Sequence, residues 1–196
     1  MPKISEDRRA ERREQILAGA RRCFAEHGYE RATVVRLENA IGLSRGAIFN
    51  YFPSKEELFI ELAVRDSARM SDVWVSDGLE AVVREVMELD PDWLSVYLEL
   101  FRRVRTDEDF RERIEARQKE IAPANRARIE DAQQTGEFRD DLEPRQIGVF
   151  VNLVLNGLAL LRASGEELPP VELVLGLLGD AVGGRAQPRS SGGVSP

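Results

Sequence analysis

The chain has one cysteine and one histidine in 196 residues, and each scarcity excludes a class of protein. A lone Cys23 cannot close an intrachain disulfide, which removes the stapled secreted scaffolds and points to a reducing cytoplasm. A lone His27, beside a helix-ending Gly28, supplies neither a zinc set nor a Ser-His or Cys-His nucleophile pair. Gly-x-Ser-x-Gly turns and Walker-type phosphate loops are also missing, so the inventory is not that of an enzyme. The 35 acidic residues are then expected on solvated helix faces. No apolar stretch is expected to approach the length that spans a bilayer. The opening Met1-Pro2-Lys3-Ile4-Ser5-Glu6-Asp7 lacks the apolar centre of a signal peptide. Sustained period-two alternation is absent too, which argues against strands.

What remains is a composition of 42% hydrophobic and 32% charged residues, that of a globular chain long enough for a small head and a larger body. The formal charge of −7 argues, as an average, against nucleic-acid binding, but it is unevenly spread. Residues 1–58 hold 11 Lys+Arg against 9 Asp+Glu, a net of +2, and the rest hold 17 against 26, a net of −9. A mildly basic head on an acidic body suits a protein that meets phosphates at one end only. Charge permits DNA binding without establishing it.

Helical periodicity runs through nearly every segment. Ile16, Leu17, Ala20 and Phe24 recur at helical spacing over 10–27, and Gly28 then offers a C-terminal cap. Thr33 is a predicted N-cap before Val34, Leu37 and Ile41. Gly42-Leu43-Ser44 makes a tight turn, with Ser44 capping a short helix over 45–51. Ser54-Lys55-Glu56-Glu57 is a capping box opening a long helix towards Trp74. Further helices are predicted over 77–88, 92–105, 108–135, 144–164 and 170–183, punctuated by Gly78, Pro91, Asp107, Gly136, Pro144 and Pro169-Pro170. The expected organisation is a helix-turn-helix domain with an N-terminal arm over 1–53, a helical body over 54–184 and a disordered tail over 185–196.

The informative stretch is TVVRLENAIGLSRGAIFNYFPSK, residues 33–55. Two short helices around a Gly-containing turn are the sequence form of a helix-turn-helix. Ala40, Ile41 and Leu43 would hold the helices together, with Ala47 and Ile48 packing from the second. The exposed side of that second helix could then enter a major groove.

These residues resemble the TetR family of bacterial regulators. FAEHGYERATV followed by IGLSRGAIFNYFPSKEELF stands in that family's order and spacing. More narrowly, ARRCFAEHGYERATV, SRGAIF, DWLSVYLE, VRTDEDF and LNGLALLRASG resemble the aconitase-repressor subgroup, thinning out between residues 113 and 145. The resemblance implies an all-α fold: an N-terminal three-helix helix-turn-helix domain and a C-terminal helical ligand-binding and dimerisation domain. Arg45, opening the recognition helix, can reach guanine O6 and N7 with two donors. Asn50 can read a base edge or a phosphate, and Gly46, beside Ala47, lets the backbone approach DNA closely. Thr33, Ser44, Tyr51 and Lys55 fit phosphate contacts at helix starts. Arg36 projects from the supporting helix as a backbone clamp, and Arg8, Arg9, Arg12 and Arg13 suit an arm along the duplex. The plainer role of Phe49 and Phe52 is in the core, and that of Thr33 and Ser44 is capping alone. Phe49 stands where the family commonly has Tyr, and Asn50-Tyr51 where the subgroup commonly has a histidine pair, which bears on the operator and not on the fold.

The predicted helices 144–164 and 170–183 are apolar nearly all round, and two from each of two chains would make the four-helix interface of a homodimer reading a palindrome. The subgroup resemblance further implies a tricarboxylate effector such as citrate, with a divalent metal such as Mg2+, bound in the body. Arg128 is the candidate carboxylate clamp. Glu99 and Asn156, polar inside apolar runs, are candidates to face a cavity, against the plainer reading of satisfied core or surface groups. Trp93 is read as core before pocket. No protein metal ligands are assigned and no cofactor is required. The competing reading, a helical adaptor without DNA readout, would have no need of the ordered motif at 33–55. The expected protein is therefore a cytoplasmic ligand-responsive repressor, tied by resemblance to aconitase or central carbon metabolism.

Overall fold

The computed structural model describes residues 6–119 and 121–184, and its regular elements are nine α-helices with one isolated antiparallel bridge, Phe138 to Gly183. The tail expected over 185–196 and the first five residues of the expected arm lie outside the described residues.

α1 (Glu6–Arg31) buries the apolar set Ile16, Leu17, Ala20 and Phe24. It passes through Gly28 (φ 73°, ψ 162°) and resumes for a last turn. The arm residues Arg8, Arg9, Arg12 and Arg13 are thus helical and not an extended strand along a groove. α2 (Val34–Ile41) starts at Thr33, whose hydroxyl accepts the Arg36 N–H, and ends at Gly42 in the left-handed region (φ 76°). α3 (Arg45–Phe49) starts at Ser44, which accepts the Ala47 N–H. α4 (Lys55–Glu88) starts at Ser54, which accepts the Glu57 N–H. Each hydroxyl pairs one N–H that the first helical turn would leave without a partner. α4 continues across Gly78 (φ 82°, ψ −165°), which joins the predicted helices 54–74 and 77–88 into one bent element.

The body adds α5 (Pro91–Thr106), α6 (Glu108–Gln118), α7 (Ala122–Gln134), α8 (Pro144–Ser164) and α9 (Val171–Val182). The helix predicted over 108–135 is two, because Pro123, which lacks an N–H and fixes φ, is accepted only in the first turn of a new helix.

Packing divides into three apolar clusters. One joins α1–α3 of the head and the first turns of α4, including Phe24, Ile48, Phe52 and Phe59, to Trp93, Val96, Phe110 and Ile114 of α5 and α6. A second gathers Trp74, Ile129, Phe138, Ile147 and Val151, and a third Val83, Val86, Leu158, Val174 and Leu178. Each fully buried large side chain contributes about 1.5–3 kcal/mol, so the head's orientation is set by this first shared core. Around it runs an ionic strip. Arg113 pairs with Glu56 and Glu57, Arg117 with Glu57 and Glu61, and Arg13 with Glu61. Burial alone would push the Glu61 carboxyl up, but Arg13 and Arg117 together outweigh it and hold it below the ordinary value.

α8 departs from one expectation. Its 21 residues are long and apolar enough, by length and composition, to cross a membrane. The reason is that it is apolar on two sides, and in this chain only one side is covered. Ile147, Val151 and Leu158 are buried, whereas Leu153 (66% exposed) and Leu160 (50%) face outward, as do Leu173 and Leu177 of α9.

Candidate nucleic-acid interface and body cavity

The recognition helix is held from behind and left open in front. Ile48 and Phe52 are buried in the head core, while Ser44, Arg45, Gly46 and Asn50 are exposed and Ala47 and Phe49 are half-buried. α2 anchors its start: the Arg45 N–H donates to Glu38 Oε1 at 2.6 Å, a charge-assisted bond that adds to the Ser44 cap. Sequence reasoning missed Glu38, although a carboxylate seven residues before a helix start was the available signal. The Arg45 guanidinium lies over the Phe49 ring, 5.9 Å from its centroid. A Cβ on Gly46 would meet nothing within 4 Å, so the protein's own packing does not demand glycine there.

Thr33 and Ser44 are exposed caps, each accepting an N–H at 3.4 Å. A hydroxyl that accepts from the backbone keeps its own proton for a phosphate oxygen. Arg36 is exposed and donates through Nη1 to the Arg31 carbonyl at 2.8 Å, with further donors in its fork. Tyr51 is half-buried against the head core. Lys55 departs from its expected role. Its Nζ donates to the carbonyls of Tyr29 (2.9 Å) and Glu30 (3.5 Å) and sits 4.3 Å from the Tyr29 ring centroid. It caps the end of α1, where carbonyls lack helical partners, and burial lowers its pKa.

A partly open cavity of about 730 Å3 lies in the body between α4, α5, α7 and α8. Its walls combine Trp74, Trp93, Leu94, Tyr97 and Leu155 with Arg21, Asp66, Arg69, Ser71, Asn125, Asn152 and Asn156. Of the three ligand candidates, only Asn156 lines it. Glu99 points instead to the head, where Oε2 accepts the Tyr29 N–H at 2.9 Å, satisfying the donor freed at the Gly28 break. Arg128 is not on the cavity wall: Nη2 is shared between the two Glu137 oxygens at 3.0 and 2.8 Å. Its charge is already matched by that carboxylate. Trp93 serves both roles, in the head core and on the cavity wall. The other polar wall residues were missed because they lie far apart in the chain. Ser71 Oγ donates to Asn125 Oδ1 at 2.6 Å across 54 positions, and no local pattern brings these together.

Comparison with known proteins places this architecture. Residues 16–62 match the model for bacterial regulatory proteins of the tetR family, and residues 75–184 match that for the C-terminal part of BetI-type transcriptional repressors. The HTH-type transcriptional repressor Rv1474c of Mycobacterium tuberculosis is 45% identical over 184 residues, 93% of this chain and 98% of that protein. The HTH-type transcriptional repressor AcnR of Corynebacterium glutamicum is 43% identical over 175 residues, covering 88% and 93%. Among solved structures, Salmonella enterica GusR superposes with a TM-score of 0.72 at 22% identity over 91% of this chain and 98% of that one. A TetR transcription regulator from Haloarcula marismortui gives 0.70 at 19%, covering 88% and 98%. With both of its parts matched and such relatives spanning nearly its whole length, this chain belongs to the TetR family of transcriptional regulators.

Proposed function

We propose that this protein is a repressor that binds a palindromic operator as a homodimer, pairing through α8 and α9, and that citrate with Mg2+ is its effector. The observation that carries the DNA reading is the posture of α3. Ile48 and Phe52 root it in the core, Ser44 and Glu38 fix its start, and Arg45, Gly46 and Asn50 face outward. The face a major groove would meet is open. Two such heads related by a two-fold axis would read half-sites one helical turn apart. The exposed leucines of α8 and α9 favour that pairing, since patches of this kind on soluble proteins are usually covered by partners. A regulatory role in the cytoplasm follows, without catalysis, and the names of the AcnR relatives favour control of aconitase or central carbon metabolism.

The body cavity is the effector site in this reading. Arg21 and Arg69 supply guanidinium groups for carboxylates, and Ser71, Asn125, Asn152 and Asn156 supply neutral hydrogen-bonding groups. Among the described residues no group of three or more His, Cys, Asp or Glu side chains gathers to hold a metal. Magnesium would therefore be held chiefly by the effector's own carboxylates and water, with amide oxygens completing the set. Ligand acts only if it binds the DNA-free arrangement of the body more tightly than the DNA-bound one.

Selection of bound fragments from genomic DNA tests the first part. A recovered palindrome should bind far more tightly than its scrambled version, with affinity falling steeply as salt rises. Equal affinity for both would refute sequence-specific readout. Citrate with magnesium should weaken operator binding, and an unchanged affinity would refute this effector.

A further inference from the structure

Three elements meet at one side of the cavity: Arg21 of α1, Asp66 of α4 and Trp93 of α5 all line it. Asp66 Oδ1 is ion-paired to Arg21, and Oδ2 accepts the Trp93 indole N–H at 2.6 Å. The central carbon of the Arg21 guanidinium lies over Trp93, 4.2 Å from the ring centroid. A residue of the DNA-binding head thus places its charge in the body's chamber, with its side chain 37% exposed. Arg69 lines the same chamber, and its partner Glu85 does not. Among the described lining residues, two guanidinium groups face one carboxylate.

We propose that Arg21 is a ligand-contact residue: a carboxylate-bearing ligand takes its guanidinium over from Asp66, so that the ligand acts directly on the DNA-binding head through α1. The inference rests on reading the cavity as the effector site. Arg21 has five donors in a planar fork, and Asp66 engages one edge of it. The cation–π contact with Trp93 keeps the guanidinium in place, so exchanging one carboxylate for another requires little new ordering of the side chain. The movement has a rigid path onward. Gly19, two residues away, lies so close to α2 that a Cβ there would be 2.7 Å from the Ile41 Cα. α1 therefore carries α2 with it, and Glu38 of α2 carries the start of α3. Further along α1, Glu99 of α5 holds the Tyr29 N–H. Arg103 of α5 also donates to the Tyr29 hydroxyl at 3.0 Å, and the shared apolar core holds α1 from behind. The ligand thus competes for the Asp66 tie while the other attachments of α1 act as its pivot.

The test uses the full chain as wild type, R21Q, R21K and D66N. Butyrate, succinate and citrate, each with and without magnesium chloride, are titrated calorimetrically, and operator binding is measured with and without each. At least one carboxylate should bind the wild type. R21Q should weaken it tenfold or more, and R21K, which keeps the charge and loses the fork, by less. D66N removes the competing charge while its amide oxygen still accepts the Trp93 N–H, so it should strengthen binding several-fold. A merely structural triad would make D66N weaken binding alongside R21Q. The operator affinity of R21Q should no longer respond to the carboxylate. The proposal is overturned if R21Q binds the carboxylate as the wild type does, if D66N weakens it, or if none of the three binds the wild type. Succinate or butyrate binding where citrate does not would overturn citrate as effector and leave the Arg21 assignment standing.

Discussion

Replacing Arg45 by alanine separates readout from folding. The side chain is exposed, and its noted contact within the chain is with the Phe49 ring at 5.9 Å, an arrangement worth about 0.5–1 kcal/mol at a wet site. Loss of it should lower the melting temperature by no more than about 2–4 °C in a chain of this size. The backbone N–H that Glu38 holds survives the substitution, so the start of α3 stays anchored. Against DNA the cost is larger, since a bidentate arginine–guanine contact discriminates by about 1–3 kcal/mol. A dimer loses it twice, about 2–6 kcal/mol, which corresponds to roughly 30-fold to 10⁴-fold in affinity. Fluorescence anisotropy with the selected operator and its scrambled version, at two salt concentrations, reads this out. Specific affinity should collapse towards the scrambled value, while the residual binding keeps most of its salt dependence. An R45A protein that keeps its preference for the operator, or loses affinity equally for both DNAs, would refute base reading by this residue.

Three further outcomes are expected. Gly19→Ala forces a Cβ to within 2.7 Å of the Ile41 Cα and should cost about 1–3 kcal/mol, seen as a fall of about 2–12 °C in melting temperature; an unchanged melt would mean that α1 and α2 are not held so closely. Leu153→Glu, on an outward face 66% exposed, should leave helicity intact and yield monomers in sedimentation, with operator affinity falling in step; a persisting dimer would place the interface elsewhere. Glu61 has its folded pKa below the ordinary 4.5, so its contribution is present above that value and lost as pH falls through the lower folded one. The melting temperatures of wild type and Glu61→Gln should therefore differ at neutral pH and converge in acid, and a gap that stays constant down to pH 3 would refute the assignment.

The parts of the fold that could be read from the sequence are those governed by local chemistry. Thr33, Ser44 and Ser54 were legible as caps because a hydroxyl at the right offset from a helix start is a short-range signal, and the structure has each accepting its N–H. The helix read over 144–164, opening at Pro144, is α8 as the structure has it. Gly28 and Gly78 were read as interruptions, and both have positive φ, yet the helices resume beyond them. Just past Gly28 the Tyr29 N–H is taken by Glu99, seventy residues further along the chain. Pro123 did carry a local signal for the break between α6 and α7, which the helical periodicity on either side obscured. The recognition helix was legible because its ingredients are contiguous. The cavity was not: Arg21, Asp66 and Asn125 come from three helices, and nothing near any of them in the chain announces the others. Arg128 stood out for its company in the sequence, but tertiary packing gave it to Glu137.

The apolar cluster shared by the head with Trp93, Val96, Phe110 and Ile114 limits how such a regulator can be recombined. A hybrid made by joining residues 1–53 to a foreign body would leave the head's core without Phe59, Trp93 and Phe110, and its fold would depend on whatever the new partner offered in their place. A transplant that keeps its native operator preference has to carry everything through residue 118. Exchange of specificities between regulators built this way should accordingly proceed by point changes on α3 more readily than by shuffling of whole segments.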